Sequence, residues 1–263
     1  MAHDTVGNDT VGQDIFGPLH ASWYDRWHEN KDYAAEVRQL KEILDREGPA
    51  SSVLDLGCGT AQHLERLAAA GHEVLGVDRS PAMVEQAKAR LARYGDRAGV
   101  VQSDLLDVTV DRPFDAAIMM FSVLGYQTGN DELLAALAAV HRAVRPGGLF
   151  LFDILDATVV LREGPKGGVT MVHDGDHHLL RATTGKLFPQ EQVYELGMRL
   201  WLLCGNRVLD CLTESHRLRY FLRRELELAL GMTGFRTLGS APLAGGQSGP
   251  SREWSRLVWA RRV

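Results

Sequence analysis

Cysteine is nearly absent: 263 residues carry three, Cys58, Cys204 and Cys211, widely separated and without Cys-x-x-Cys spacing. That excludes a disulfide framework and a thiolate zinc site, and it fits reduced thiols in a cytoplasm. No apolar run approaches the roughly 20 residues of a membrane span. The start, MAHDTVGNDTVGQD, has no basic stretch followed by an apolar one, so it is not read as a secretory signal. Positive charge is also short. Lys and Arg number 29 against 34 Asp and Glu, a net charge of −5, whereas nucleic-acid binding wants a basic face. The arginines near the C-terminus alternate with apolar residues, as on an amphipathic strand. The rest, 45% hydrophobic and 24% charged, is ordinary for a soluble globular chain.

The repeated DTVGN/DTVGQ is polar, and residues 1–20 are expected to be a disordered tail. Residues 21–50 follow as lid helices, with apolar residues at helical spacing from Tyr33 onward. Strands and helices then alternate. SSVLDLG, HEVLGVD, AGVVQSD, FDAAIMMF and LFLFDIL read as strands. AQHLERLAAAG, SPAMVEQAKARLARYG and DELLAALAAVHRAVR read as the helices between them, with Ser80 as an N-cap and Pro81 behind it. Apolar strands between amphipathic helices predict an α/β fold, a doubly wound and mostly parallel sheet. FRTLGS and EWSRLVWARR bring its strands to seven. Between residues 156 and 217 the pattern changes to strand-like segments joined by Gly or Asp turns, an antiparallel β insert beside the mouth of the sheet. The binding domain is then 51–155 with 218–263.

Open α/β sheets bind ligands where strand ends meet helix starts, because backbone N–H groups and the helix dipole converge there. VLDLGCGTAQHL is such a junction. Gly57 and Gly59 fit the dinucleotide fingerprint, but its third glycine falls on Gln62, and no Gly-Lys-Ser/Thr follows for a P-loop. NAD and nucleoside triphosphates are therefore disfavoured, and a ligand without pyrophosphate is expected.

DLGCGT followed by GVDRS resembles the first motifs of class I S-adenosylmethionine-dependent methyltransferases. The resemblance implies a Rossmann-like methyltransferase fold and S-adenosylmethionine as cofactor. It places Gly57 and Gly59 beside the amino-acid part of the cofactor. Asp78, with Arg79 next to it, falls at the ribose diol, which a carboxylate suits because it can accept from both hydroxyls. SDLL puts Asp104 at the adenine amino group, with Leu105 and Met83 on either side of the ring. MMFSVLGY matches the stretch that contacts cofactor, at Met120, and faces substrate, at Tyr126. VRPGGLFLFD matches the family's entry to its fifth strand. The usual third glycine of the turn is Ala61 here, which a negative φ would accommodate.

Two flanks narrow the choice. YDRWHENKDYAAEV and TESHRLRYFLRRELELALGMTGF resemble the N-methyltransferases of nucleotide-linked deoxyaminosugars, so that the resemblance covers about residues 22–154 and 213–236. It assigns Tyr33 to the cofactor carboxylate and Tyr24 to the pocket mouth, as a substrate contact. The chain departs from the pattern in three places. Its lid loop is shorter between His28 and Lys31, Tyr126 replaces a histidine, and DATVVLREGPKGG lacks the tryptophan-rich start of the insert. All three bear on the acceptor rather than the cofactor.

The chemistry asks mainly for alignment of nucleophile, methyl and leaving sulfur. An amine acceptor needs no dedicated base, and no histidine is then expected to be essential. A hydroxyl would need one, and His216 is the candidate, with Tyr126 beside the transferred methyl. No metal is expected: HDGDHH, residues 173–178, reads as a solvated hairpin turn. His63 is expected to orient the glycine turn, and Cys58 to sit in it by virtue of its small size. Trp201, Leu202 and Leu203 belong to the insert's core or to a homodimer face. The expected partner is a small-molecule acceptor, an aminosugar carried by a nucleotide in secondary metabolism, with neither nucleic acid nor membrane involved. The alternatives are O- or C-methylation of another metabolite, and a cofactor-binding protein without turnover.

Overall fold

The computed structural model describes residues 15–245 and 254–263. Most of the expected tail, residues 1–14, lies outside them, but its last part does not behave as a tail. Helix α1 (Pro18–Trp27) begins inside it. Pro18 stands where a missing N–H costs nothing, and Trp23 and Trp27 recur at helical spacing. They bury against Leu179, Met198 and Leu200 of the insert, which is what holds the helix down. Helix α2 (Tyr33–Glu47) follows, capped by the Asp32 carboxylate accepting from the Ala35 N–H at 2.8 Å.

Strands β1 (Ser52–Leu56), β2 (Glu73–Asp78), β3 (Ala98–Gln102), β4 (Phe114–Met119) and β5 (Val144–Asp156) pair parallel in the order β3-β2-β1-β4-β5. Helices α3 (Gln62–Ala69), α4 (Pro81–Leu91) and α5 (Asn130–Ala143) connect them. After the insert come α7 (Arg223–Met232), β10 (Phe235–Pro242) and β11 (Ser255–Arg262), with β11 antiparallel to both β5 and β10. These seven strands form the predicted doubly wound sheet. Two separate apolar clusters cover its faces. One joins Leu54 and Leu56 to Leu133, Leu137 and Leu226, and the other joins Val53 to Leu40, Leu64 and Ala87. Successive residues of β1 feed opposite clusters, as the period-two geometry of a strand requires. Among the described residues no helix is long and apolar enough to cross a membrane.

The insert opens with a short helix, α6 (Ala157–Glu163), that the strand-like reading of this stretch omits. Asp156 caps it by accepting from the Thr158 N–H at 2.9 Å, and Ala157 and Val160 pack with Tyr220 and Trp254. An antiparallel meander follows: β6 (Gly168–Asp174), β7 (His177–Phe188), β8 (Val193–Cys204) and β9 (Arg207–Phe221). Strand β9 runs past the expected boundary at 217 and pairs parallel with β5 at Leu155–Tyr220 and Asp156–Phe221. One continuous strand therefore belongs to both sheets.

The β1–α3 turn is tighter than expected. Gly57, Gly59 and Ala61 all have positive φ, and Ala61 sits at φ 64°, ψ 31° where a negative φ was expected. A left-handed alanine costs about 1–2 kcal/mol. Its methyl is fully buried in the core cluster beside α3, which offsets that strain. Gly57 admits no such exchange. A Cβ there would lie 2.7 Å from a Val123 methyl, at φ +83°. Gly57→Ala is therefore expected to destabilise the fold by at least about 1–2 kcal/mol, lowering the melting temperature by about 4 °C or more in calorimetry. An unchanged melting temperature would mean that the turn does not approach Val123 this closely.

Candidate active site

A cavity of about 350 Å³ opens at the C-terminal ends of β1 to β4, roofed by α1 and walled by the inner face of the insert. One half is built by the main sheet. Gly57 and Gly59 form its floor, and space is open where a Cβ on Gly59 would stand. Asp78 ends β2, and its carboxylate accepts from the N–H groups of Gly59 (2.8 Å) and Ser80 (2.9 Å) while burial raises its pKa. Arg79 and Met83 line the same side, Met83 being placed by the Ser80 cap on α4. Asp104 and Leu105 follow β3, and Met120 follows β4. Nearby, Asp55 is buried in β1 with one carboxylate oxygen unpartnered, and burial, with the charge of Asp78, pushes it up to about 8.

This half has the chemistry of an adenosine slot: a carboxylate for a diol, a second carboxylate for an amine, apolar side chains for a ring, and a glycine turn that leaves room. The residues present fit S-adenosylmethionine.

The other half belongs to the lid and the insert. Tyr126 closes the 3₁₀ turn Val123–Tyr126, and its Oη lies 2.8 Å from His216 Nδ1 on β9. His216 Nε2 lies 3.1 Å from Glu214, which also meets His20 Nδ1 at 2.7 Å. Tyr24 of α1 and His28 just past its end lie on the same wall, as do Lys166 and Arg181. The turn leading to Tyr126 is strained, with Phe121 at φ 74° and Ser122 at φ 58°. Asp153 holds it, accepting from the Ser122 N–H at 3.0 Å and its hydroxyl at 3.1 Å.

The structure thus gathers Tyr24, Gly57, Gly59, Asp78, Arg79, Met83, Asp104, Leu105, Met120, Tyr126 and His216 on one cavity. Tyr33 is the correction. It is not on the wall, because the first turn of α2 buries its ring under the Lys31 ammonium and against His63. His63, on the first turn of α3, lies 2.7 Å from Glu36 of α2, with Lys31 paired to the same carboxylate. Cys58 packs toward Gly76, where a Cβ would lie 2.7 Å from its sulfur, and burial pushes its thiol up, away from nucleophilic use. His173 and His178 face each other across the β6–β7 hairpin, 2.7 Å apart and hydrogen-bonded.

Sequence reasoning missed Phe16, His20 and Glu214. Phe16 donates its N–H to Glu214 at 3.2 Å, and its carbonyl accepts from the Ser80 hydroxyl at 2.8 Å, so the segment before α1 stitches the two halves together. Only Pro18, a helix-start signal, pointed to order there. Asp25 holds the same helix to the glycine turn, accepting from Thr60 Oγ1 (2.7 Å) and Gln62 Nε2 (3.0 Å) and pairing with Arg90.

Comparison with known proteins agrees with this geometry. Residues 53–148 match the methyltransferase domain family. The chain is 30% identical over 255 residues to dTDP-3-amino-3,6-dideoxy-alpha-D-glucopyranose N,N-dimethyltransferase of Streptomyces fradiae, covering 95% of this chain and 94% of that one. It is 35% identical over 137 residues to dTDP-3-amino-3,4,6-trideoxy-alpha-D-glucopyranose N,N-dimethyltransferase of Streptomyces venezuelae, 51% of this chain and 56% of the relative. Its fold superposes on a sugar N-methyltransferase from Streptoalloteichus sp ATCC 53650 with a TM-score of 0.80 at 23% identity, over 98% of each chain. The chain belongs to the class I S-adenosylmethionine-dependent methyltransferases. It is an enzyme of methyl transfer, with S-adenosylmethionine as its cofactor.

His28 reports on the lid. Its imidazole sits against Tyr24 and Phe121, and burial lowers it to about 4 although its Nδ1 contacts the Tyr24 carbonyl. An unfolded histidine titrates near 6.5, so the unfolded chain takes up this proton first. The stability His28 contributes is complete above about pH 6.5 and drains as pH falls toward about 4. Melting curves between pH 7 and 4 are expected to fall less steeply for His28→Asn than for the wild type. Equal slopes would show that the imidazole is already charged in the fold.

Proposed function

We propose that the enzyme methylates the amino group of an aminosugar carried by a nucleotide, in secondary-metabolite (antibiotic) biosynthesis. The observation that carries this reading is the match, along 95% of the chain, to a relative named for a dTDP-aminosugar. That length includes the lid and the insert, the parts that wall the acceptor half of the cavity. Arg181 and Lys166 on that wall suit the phosphates of a nucleotide.

In this reading Gly57, Gly59, Asp78, Arg79, Met83, Asp104, Leu105 and Met120 hold the cofactor, and Tyr24 and Tyr126 meet the acceptor. S-adenosylmethionine, when bound, supplies an electrophilic methyl sulfonium. Asp78 fixes the ribose end, while Met83 and Leu105 flank the adenine. The lid and insert exclude water and aim the amine. Tyr33 packs against Lys31 and His63 rather than touching the cofactor carboxylate. The enzyme acts in a reducing cytoplasm, in keeping with free Cys58, Cys204 and Cys211. The outer face of the insert, with Val169, Met171 and Leu209 exposed, pairs two copies as a homodimer.

A second reading, O-methylation, draws on one observation: Tyr126, His216 and Glu214 form the hydrogen-bonded base that a hydroxyl would need. Incubation with S-adenosylmethionine and matched dTDP-sugars, one bearing an amine and the other a hydroxyl at the same carbon, separates the two. Mass spectrometry is expected to show methyl groups added to the amine alone. Methylation of the hydroxyl sugar alone would replace the first reading with the second.

Asp78→Ala removes the acceptor for the ribose and is expected to weaken S-adenosylmethionine by about 2–3 kcal/mol, the range for hydrogen bonds to a charged group. Calorimetry giving an unchanged dissociation constant would remove Asp78 from the cofactor site.

A further inference from the structure

Behind the acceptor half lies a chain of groups, one of which, His20, no reading above employs. Tyr126 Oη meets His216 Nδ1 at 2.8 Å, His216 Nε2 meets Glu214 Oε2 at 3.1 Å, and the same oxygen meets His20 Nδ1 at 2.7 Å. Glu214 Oε1 accepts from the Phe16 N–H at 3.2 Å. His20, Glu214 and His216 are 4%, 2% and 3% exposed.

The proton positions follow from these contacts. Burial alone would raise the Glu214 carboxyl, but hydrogen bonds from His20 and His216 outweigh it and hold it at about 2. Glu214 is therefore an anion, and an anion can only accept. Each histidine must carry a proton on the nitrogen that faces it. When the ring of His216 is neutral its Nδ1 is bare and accepts from Tyr126, a phenol that burial keeps protonated. The Tyr126 oxygen retains its own acceptor capacity on the cavity side. The imidazolium that forms in the middle of such a chain is stabilised by the Glu214 charge, which favours uptake of a proton from the cavity side.

We propose that Tyr126 and His216 take up the proton that the acceptor amine must lose, with Glu214 and His20 as positioning residues; this rests on the amine reading above. The bonds balance. An N–H of the ammonium breaks and an O–H forms on Tyr126 Oη. The former phenolic O–H breaks and an N–H forms on His216 Nδ1. The amine nitrogen keeps its lone pair for the methyl, Glu214 stays ionised, and nothing is oxidised. An alkylamine is largely an ammonium at neutral pH, and after one methyl transfer the nitrogen is cationic again. The same removal therefore precedes the first transfer, and it precedes any second one once His216 has returned its proton through Tyr126 to the open cavity. The sequence-based expectation that an amine acceptor leaves no histidine important changes accordingly at neutral pH. The charged and titratable groups facing the relay are Asp78 and Arg79 from the main sheet, Tyr24 and His20 from α1, His28 just past its end, Arg181 from β7 and Glu214 from β9. Of these, Arg79 favours the phenolate, and Asp78 and Glu214 oppose it.

The test is kcat/KM against pH from about 6 to 10 with a dTDP-aminosugar, for the wild type, Tyr126→Phe, His216→Gln, His20→Gln and Glu214→Gln. At pH 7 the Tyr126 and His216 variants are expected to lose at least about a hundredfold, the lower end of what general base catalysis contributes. The loss should shrink to within about threefold above the pKa of the substrate amine, where the free base needs no help. The wild-type profile should level off at lower pH than theirs. Nitrogen NMR of the cofactor-free protein supplies a readout apart from activity. His216 should be protonated on Nε2 and His20 on Nδ1, and Glu214→Gln should disturb both. Because Glu214 also holds Phe16, His20→Gln keeps the test open if that variant does not fold, and its profile should shift as theirs does. Variants slowed by one factor at every pH would show a structural role only and overturn the proposal. So would activity abolished by chelation and restored by a divalent cation. A wild type that turns over no amine sinks the amine reading and the proposal with it, and that result is distinct because it needs no variant.

Discussion

Buried backbone amides at the ends of parallel strands must find acceptors, and in this protein carboxylates supply them. A turn at the C-terminal edge of the sheet leaves N–H groups that neither helix nor ladder can satisfy. Asp78 takes those of Gly59 and Ser80, Asp153 takes that of Ser122, and Glu214 takes that of Phe16. Each carboxylate thereby fixes one loop of the active site: the glycine turn, the turn carrying Tyr126, and the segment that leads into the lid. The carboxylates that hold the loops are also the charges that shape the pocket. Asp78 is at once the clamp on the glycine turn and a carboxylate on the cavity wall, so chemistry and architecture cannot be varied separately there.

How much of this was legible in the sequence follows from how far apart the interacting residues lie. Gly57, Gly59, Asp78, Met83 and Asp104 could be placed because, in a sheet of known strand order, each sits at or just past a strand end. Order alone then brings them to one edge. The Ser80 cap and the seven strands were legible for the same reason. Glu214 and His20 are 194 residues apart, and Glu214 and Phe16 are 198 apart. Neither contact has a local pattern, and polar residues before Pro18 look like tail until the insert that receives them is folded. Tyr33 was misplaced by a different route. The resemblance gave it a role, but the helix it begins turns its ring against Lys31 and His63, off the cavity wall. Ala61 shows the limit of local reasoning about backbone. Steric preference argues for a negative φ, yet burial of one methyl in a packed core is comparable in size to the cost of the left-handed conformation.

The two halves of the cavity differ in what holds them. The cofactor half rests on parallel strands whose register is fixed over five pairs at β1–β2 and five at β2–β3. The acceptor half is joined to the main sheet through two pairs between β5 and β9. Close packing reinforces that narrow joint: a Cβ on Gly125 would lie 3.1 Å from the Arg219 carbonyl, and Arg219 is itself paired with Glu225 of α7. The Tyr126 turn is thus pressed against β9 at the point where β9 leaves the insert, which sets the distance from Tyr126 to His216.

That arrangement gives the acceptor half a freedom the cofactor half lacks. Substitutions on β7 and β8 change the wall of the pocket without touching a strand of the main sheet. Changes on β9 reach the Tyr126 turn at once through Gly125 and His216. Glu214 and His216 lie two residues apart on β9 and so share a face of the strand. The spacing that gives His216 its carboxylate is therefore a property of a strand, not of a loop. A proton relay built on a strand keeps its geometry while the loops around it change, and so can serve acceptors of different shape. The part of the pocket wall left free to vary is then the rest of the insert, where Arg181 and Lys166 stand.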